Sequence, residues 1–377
     1  MKEVKIYPGS LAGEVFIPAS KSISHRAVIC AGLSEGISNI YNVGISQDIE
    51  ATIEALRSFG TMIEKADASL RIKGSAVPKL KNSGINCHES GSTLRFIIPI
   101  AALTGEPVTF YGEGRLVERP LLQYYNIFEK QGIKYETEAG KLPLHINGRL
   151  VPGEFQLEGN ISSQFISGLM FALPLLEGDS LITVTTEPES KPYIDLTLKV
   201  LKDFSIHIEN HGYRTFIIKG RQKYKATDYT VPGDFSQAAF WLAAGALGSE
   251  VVCKGLDINS MQGDRVMMDI IGEMGGGIFI KAAAVRALPA DTRGTVIDAS
   301  QCPDLVPILA VLGALSKGRT EIVNAGRLRL KESDRLKAVS SELGKLGACI
   351  MELHDSLVID GRKNLRGGRV ESWNDHR

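Results

Sequence analysis

A pattern of about 70 residues recurs five times along the chain, and it constrains the fold more than any single motif. Its openings read SKSISHRAVICAGLSEG, SGSTLRFIIPIAALTG, SSQFISGLMFALPLLEG, DFSQAAFWLAAGALG and PDLVPILAVLGALSKG. Small or polar residues lead into an apolar stretch that closes on Gly36, Gly105, Gly178, Gly248 or Gly318, at steps of 69, 73, 70 and 70. Each second half begins with a helix-spaced segment, as in QDIEATIEALRSFG with Ile49, Ile53 and Leu56 on one face. Two short strands follow. The helix-ending positions Gly60, Gly132, Ser205, Gly275 and Gly347 keep nearly the same period, and glycine suits a left-handed cap. Each copy reads helix, strand, helix, strand, strand, so the copies must pack together to bury their apolar faces.

Composition excludes several classes. Lys plus Arg equals Asp plus Glu, 43 against 43, so no global field draws nucleic acid or membrane to the chain. Any anion site must be a local concentration of basic groups. The five cysteines (Cys30, Cys87, Cys253, Cys302, Cys349) are scattered and lack CxxC spacing, which argues for reduced thiols and against zinc or disulfides. The N-terminus MKEVKIYPGS has no signal-peptide apolar region, and no apolar run reaches the roughly 18 residues of a membrane span. A cytoplasmic protein is expected.

Chemistry is concentrated at the openings. PASKSISHRA places Ser20 as an N-cap, with Lys21, Ser22 and Arg26 within two turns. A helix N-terminus there favours phosphate or carboxylate. His25 reads as a packed or solvated residue rather than a catalytic one. SGSTLR supplies Gly91, Ser92 and Thr93 before Arg95, and SSQF supplies Ser162, Ser163 and Gln164. PDLVP brings Asp304. Each opening alone is ordinary N-capping, but a bare repeat scaffold would not need so many polar starts. Two basic clusters lie elsewhere: Arg115 and Arg119 in GEGRLVERPL, and Arg327, Arg329, Lys331, Glu332 and Arg335 in RLRLKESDRL. If helical, Lys331 and Arg335 share a face, and Ser333 is placed to cap the next helix. Ile166, Leu169, Phe171 and Leu173 read as core.

Taken in order, these motifs resemble the 5-enolpyruvylshikimate-3-phosphate synthases over the whole chain. The resemblance is carried by Lys21-Ser22 with Arg26, SGSTLR, Glu118-Arg119-Pro120, Ser162 to Gln164, SKPY at Ser190 to Tyr193, Asp304, KESDR at Lys331 to Arg335, and Asp375-His376-Arg377. It implies a two-domain, inside-out α/β barrel of βαβαββ units, three per domain, with two crossover strands as a hinge and helix starts facing a cleft. Residues 1–19 with 229–377 would form the first domain, and 20–228 the second.

The implied reaction moves the enolpyruvyl group of phosphoenolpyruvate to the 5-hydroxyl of shikimate 3-phosphate and releases phosphate, without metal or organic cofactor, in a monomer. By motif position, Lys21, Ser22, Arg26, Ser162, Ser163, Gln164, Ser190, Tyr193, Asp304, Arg327 and Lys331 would hold shikimate 3-phosphate. Lys21, Gly91, Arg119, Gln164, Arg335 and Arg377 would hold phosphoenolpyruvate. Asp304 would be the base, with Lys21 or Glu332 delivering a proton. Six basic groups against Asp304 and Glu332 lead one to expect a cationic cleft.

Two departures stand out, and one further position bears on inhibition. Family members usually continue past DHR for about one more unit, so five units are visible and the first domain is expected to lack its third. Arg327 stands where many relatives have asparagine. Gly91, rather than alanine, implies sensitivity to glyphosate. The sister transferase acting on UDP-N-acetylglucosamine differs more: it has asparagine where Ser22 stands and a cysteine in the loop that here reads GEGRLVER. A non-catalytic anion-binding remnant is the alternative from outside enzymology.

Overall fold

The opening helices are apolar nearly all round, and such a helix is stable only when enclosed. The computed structural model describes residues 3–281 and 284–375, so Arg377 lies outside the described residues. Among them the α-helices are α1 (Lys21–Leu33), α2 (Gln47–Arg57), α3 (Gly91–Ala102), α4 (Leu122–Gln131), α5 (Ser163–Ala172), α6 (Lys191–Asp203), α7 (Phe235–Leu247), α8 (Met267–Glu273), α9 (Val306–Ala314) and α10 (Arg335–Lys345). The openings fold as the odd-numbered helices. In α1 every residue from Ile23 to Leu33 is buried. The intervening helices bury one face; in α2 it includes Ile49, Ile53 and Leu56, as the spacing predicts.

Five four-stranded sheets accompany the helices among the described residues. The sheet at α3 shows the plan. Gly84–Asn86 runs parallel to Val108–Tyr111, which pairs antiparallel with Lys141–Asn147, itself antiparallel to Lys134–Glu138. A parallel pair requires a crossover, and α3 supplies it; the last two strands form a hairpin. Two sheets take their parallel outer strand from a distant stretch of chain. Gly13–Phe16 pairs with Val251–Lys254, and Tyr229–Thr230 pairs with the end of Gly36–Tyr41.

The molecule thereby divides into two units of mixed α/β structure. Ala19–Pro232 forms one, and the described residues on either side of it form the other. Each has its own hydrophobic core, around Phe96, Phe165 and Phe171 in the first and around Phe235, Leu242 and Leu309 in the second. Where the chain leaves one unit for the other, Ser20 N donates to Pro232 O and Asp234 N donates to Pro18 O, both at 2.9 Å.

All five helix-ending positions have positive φ, between 67° and 89°, including the non-glycine Ser205. A second backbone constraint sits where a sheet's third strand returns against the end of the opening helix. A Cβ on Gly361 would lie 1.6 Å from Ser316 O, on Gly74 2.2 Å from Ala31 O, and on Gly220 2.3 Å from Gly178 O. Backbone cannot yield as a flexible side chain would, so Gly361→Ala is expected to lose at least about 1–3 kcal/mol. Gly344→Ala, in α10 with nothing within 4 Å of the added Cβ, is expected to gain up to about 1 kcal/mol. Urea unfolding midpoints of the two variants test this opposition of sign.

Candidate functional site

The unit of Ala19–Pro232 carries polar groups at the starts of α1, α3, α5 and α6. Ser20 occupies the cap position of α1 but makes no side-chain capping bond, contrary to the sequence expectation; its backbone is committed to Pro232 instead. Lys21, the first residue of α1, donates from Nζ to Asp48 Oδ2 at 2.6 Å. Arg26 is buried. It donates from Nε to Thr197 Oγ1 (2.8 Å), from Nη1 to Ser22 O (2.7 Å) and from Nη2 to Tyr193 O (3.0 Å), and lies over Phe96. Burial pulls its pKa down to about 10. Ser22, Arg26 and Tyr193 are thus brought together, with Arg26 tying α1 to α6. Ser190 precedes α6 in a left-handed conformation, φ 56°.

At α3, Ser90 Oγ caps the helix by accepting from Thr93 N at 3.2 Å. Gly91 leaves room for two guanidiniums, since a Cβ there would meet Arg119 Nη1 at 2.6 Å and Arg95 Nη1 at 3.2 Å. Arg95 Nη1 donates to Gln164 Oε1 at 2.7 Å, and Gln164 Nε2 donates to Ser92 Oγ at 2.9 Å. Ser162 caps α5 through Gln164 N, and Ser163 is the first residue of that helix. Gly91, Arg119 and Gln164 therefore gather at one place.

A buried polar chain supports this arrangement. His25 Nδ1 meets Thr52 Oγ1, Thr52 Oγ1 meets Thr93 Oγ1, and Thr93 Oγ1 meets Ser90 Oγ, each at 2.7 Å. Burial lowers the His25 pKa to about 3, so the ring is neutral and packed. The chain links α1 and α2 to the cap of α3.

The second unit gathers its charges around Arg335. Its guanidinium donates from Nη1 to Asp304 Oδ1 (2.7 Å), from Nη2 to Glu332 Oε2 (2.7 Å), and from Nε and Nη2 to Asp375 (2.9 and 3.1 Å). Burial alone would lower the Arg335 pKa, but the surrounding carboxylates raise it. Lys331 is extended rather than helical, and α10 begins at Arg335, so the two do not share a helical face. Nor does Ser333 cap α10. Asp334 does, accepting from Lys337 N at 3.1 Å, while Ser333 Oγ donates to Asp375 Oδ2 at 2.7 Å. Arg327 Nη2 donates to Ser300 O at 2.5 Å, which fastens the segment ahead of α9.

The two units hold their cations differently. In the first, Lys21 pairs with Asp48, while Arg26 donates to Thr197 and two backbone carbonyls and Arg95 donates to Gln164. In the second, Arg327, Lys331 and Arg335 are matched by Asp304, Glu332 and Asp375. The sequence reading missed Arg95, Asp48 and Asp375 as members of these clusters. Arg95 stood within the quoted SGSTLR and Asp375 within the quoted Asp375-His376-Arg377, so both could have been included; Asp48 gave no local signal. Among the described residues, no group of three or more His, Cys, Asp or Glu is placed to hold a metal ion.

These features define a two-unit α/β protein with basic, hydrogen-bonded clusters at its helix starts, suited to anionic ligands. The family model for EPSP synthase (3-phosphoshikimate 1-carboxyvinyltransferase) matches residues 6–377. The chain belongs to that family. The 3-phosphoshikimate 1-carboxyvinyltransferase of Clostridium kluyveri is 57% identical over 377 residues, covering 100% of this chain and 88% of the relative. That of Clostridium acetobutylicum is 55% identical over 381 residues, with 100% and 89% covered. Among solved structures, EPSP synthase from Acinetobacter baumannii superposes with a TM-score of 0.81 at 25% identity, covering 98% of this chain and 88% of that one. The enolpyruvyl transferase NikO from Streptomyces tendae shares the fold, with a TM-score of 0.71 at 19% identity and 93% and 82% covered.

Lys331 supplies a pH test. It is half-buried by surface, but protein atoms crowd its ammonium, and this burial lowers its pKa to about 8. Between about pH 8 and the unfolded value of about 10.4 the unfolded chain binds the extra proton, so this group's contribution to stability rises with pH. Replacing the ammonium by Lys331→Met is therefore expected to help most near neutrality. Its advantage over the parent, read from urea midpoints, should shrink steadily as pH rises through that window.

Proposed function

We infer that the chain transfers the enolpyruvyl group of phosphoenolpyruvate to the 5-hydroxyl of shikimate 3-phosphate, releasing phosphate, as a step of the shikimate pathway to aromatic amino acids. The observation that carries this reading is 57% identity along the whole chain with a 3-phosphoshikimate 1-carboxyvinyltransferase. The clusters of basic and neutral hydrogen-bonding groups at the helix starts support it, since both substrates present phosphate and carboxylate.

On this reading Ser22, Arg26, Ser162, Ser163, Ser190, Tyr193, Asp304, Arg327 and Lys331 hold shikimate 3-phosphate. Gly91, Arg119, Arg335 and Arg377 hold phosphoenolpyruvate, and Lys21 and Gln164 touch both. Asp304 takes the 5-hydroxyl proton while the oxygen bonds to C2 of phosphoenolpyruvate. The methylene carbon gains a proton from Lys21 or Glu332, giving a tetrahedral intermediate. Loss of a proton from the new methyl group then restores the double bond as phosphate departs, its charge stabilised by the arginines. The enzyme works as a cytoplasmic monomer with reduced thiols. Among the described residues, no helix is long and apolar enough to cross a membrane.

Phosphate release that requires both substrates together is the expected result, and release independent of either one would refute the reading. Arg335→Ala is expected to lose about 2–4 kcal/mol of transition-state stabilisation, read from kcat/KM; a near-parental value removes Arg335 from the site. Gly91→Ala should push the Arg119 guanidinium aside, because the new methyl would otherwise sit 2.6 Å from Nη1. Its KM for phosphoenolpyruvate should rise more than its KM for shikimate 3-phosphate, and inhibition by glyphosate should weaken in parallel.

A further inference from the structure

Beyond the last described strand the chain runs back along α10, and one carboxylate of that helix holds its far end. Glu342 Oε2 accepts from Glu371 N at 2.9 Å, and Glu342 Oε1 accepts from the Trp373 indole Nε1 at 2.8 Å. Lys345 Nζ donates to both oxygens at 2.8 Å. Burial pushes the Glu342 carboxyl up, but the bonds from Lys345, Trp373 and Glu371 N outweigh it and hold the group below the usual carboxylate range.

The turn so held is an improbable one. Trp373 and Asn374 follow each other at φ 53° and 52°, a region that residues other than glycine rarely adopt in succession. Such a conformation persists where its surroundings impose it. Its consequence is the placement of Asp375, whose carboxylate takes Arg335 Nε and Nη2 together and accepts from Ser333 Oγ. Both side chains of this pair are buried, Arg335 at 3% and Asp375 at 5% exposure. A planar guanidinium held along one edge by a two-oxygen partner has a fixed orientation.

We propose that Glu342 is a positioning residue for enolpyruvyl transfer: by clasping the turn at 371–373 it sets Asp375, and through Asp375 the orientation of the Arg335 guanidinium. Glu342 and Arg335 share α10 but make no direct bond among those described; the path runs from carboxylate to turn to carboxylate to arginine. The consequence for catalysis rests on the phosphoenolpyruvate-binding role assigned above to Arg335, whereas the clasp itself does not.

The chain has two tryptophans, so in a Trp241→Phe background Trp373 reports the clasp directly. In that background Glu342→Ala is expected to shift the emission to longer wavelength and expose the indole to acrylamide. It should also raise the KM for phosphoenolpyruvate roughly tenfold to a hundredfold, the scale of a misplaced binding group, with a smaller change for shikimate 3-phosphate. Glu342→Gln, which keeps an acceptor for one of the two donors, should fall between. Glu342→Ala and Asp375→Asn should lower the melting temperature less than additively, because the first acts through the second. Unchanged emission or full additivity overturns the clasp, whatever the activity. Changed emission with an unaltered phosphoenolpyruvate KM overturns the positioning role. A parent chain that releases no phosphate counts against the proposed reaction, and emission and additivity then still decide the clasp.

Discussion

The enclosure of the opening helices governs the rest of the molecule. A helix such as α1, buried along eleven successive residues, has no side free for chemistry. What remains available is its first turn, where backbone N–H groups lack intrahelical partners and short polar side chains gather. The sheets constrain the other end, since the glycine contacts at Gly74, Gly220 and Gly361 press a returning strand against the end of α1 and the segments that follow α5 and α9. Polar groups are thereby gathered toward the helix starts, with Arg26 as a buried exception that ties α1 to α6.

How much of this was legible in the sequence follows from the range of each interaction. The helix-ending period could be read because a left-handed residue is a local requirement, and Gly60, Gly132, Gly275 and Gly347 satisfy it with the residue best suited to it. Ser205 shows that the requirement is conformational rather than compositional. Caps were read less well. Ser20 and Ser333 have the right side chains, but Ser20 makes no capping bond and α10 starts one residue later than a Ser333 cap would demand. Partners distant in sequence were not legible at all. Asp48 lies 27 residues from Lys21 and Asp375 lies 40 from Arg335, and no periodicity connects such pairs. Nor was the partner of Arg95 legible, for it turns in over Phe165 toward Gln164, 69 residues away.

Those missed partners change the electrostatic argument. Setting only Asp304 and Glu332 against six basic groups suggests a strongly cationic site. With the carboxylates included, the cluster around Arg335 is nearly balanced. A balanced cluster attracts anions weakly at long range but orients them well at short range, because each donor is already fixed. An excess-charge cluster does the reverse. The cluster around Arg335 is of the balanced kind.

Pre-pairing also explains why these cations can be buried without losing their charge. An isolated guanidinium in the interior of the second unit would be costly, and its pKa would fall as that of Arg26 does. Arg335 escapes this because three carboxylates hold it, and their combined effect exceeds that of burial. A ligand carboxylate arriving there meets a cation that is already solvated by the protein, so binding adds a contact without having to organise the group first. The cost lies in competition, since every carboxylate that steadies Arg335 also weakens its pull on an incoming anion. Lys331, with a pKa lowered to about 8, marks the other limit: crowding outweighs the nearby Asp304 and Glu332, and the ammonium keeps its charge at neutral pH only by a narrow margin. The cluster around Arg335 thus trades attraction for fixed geometry.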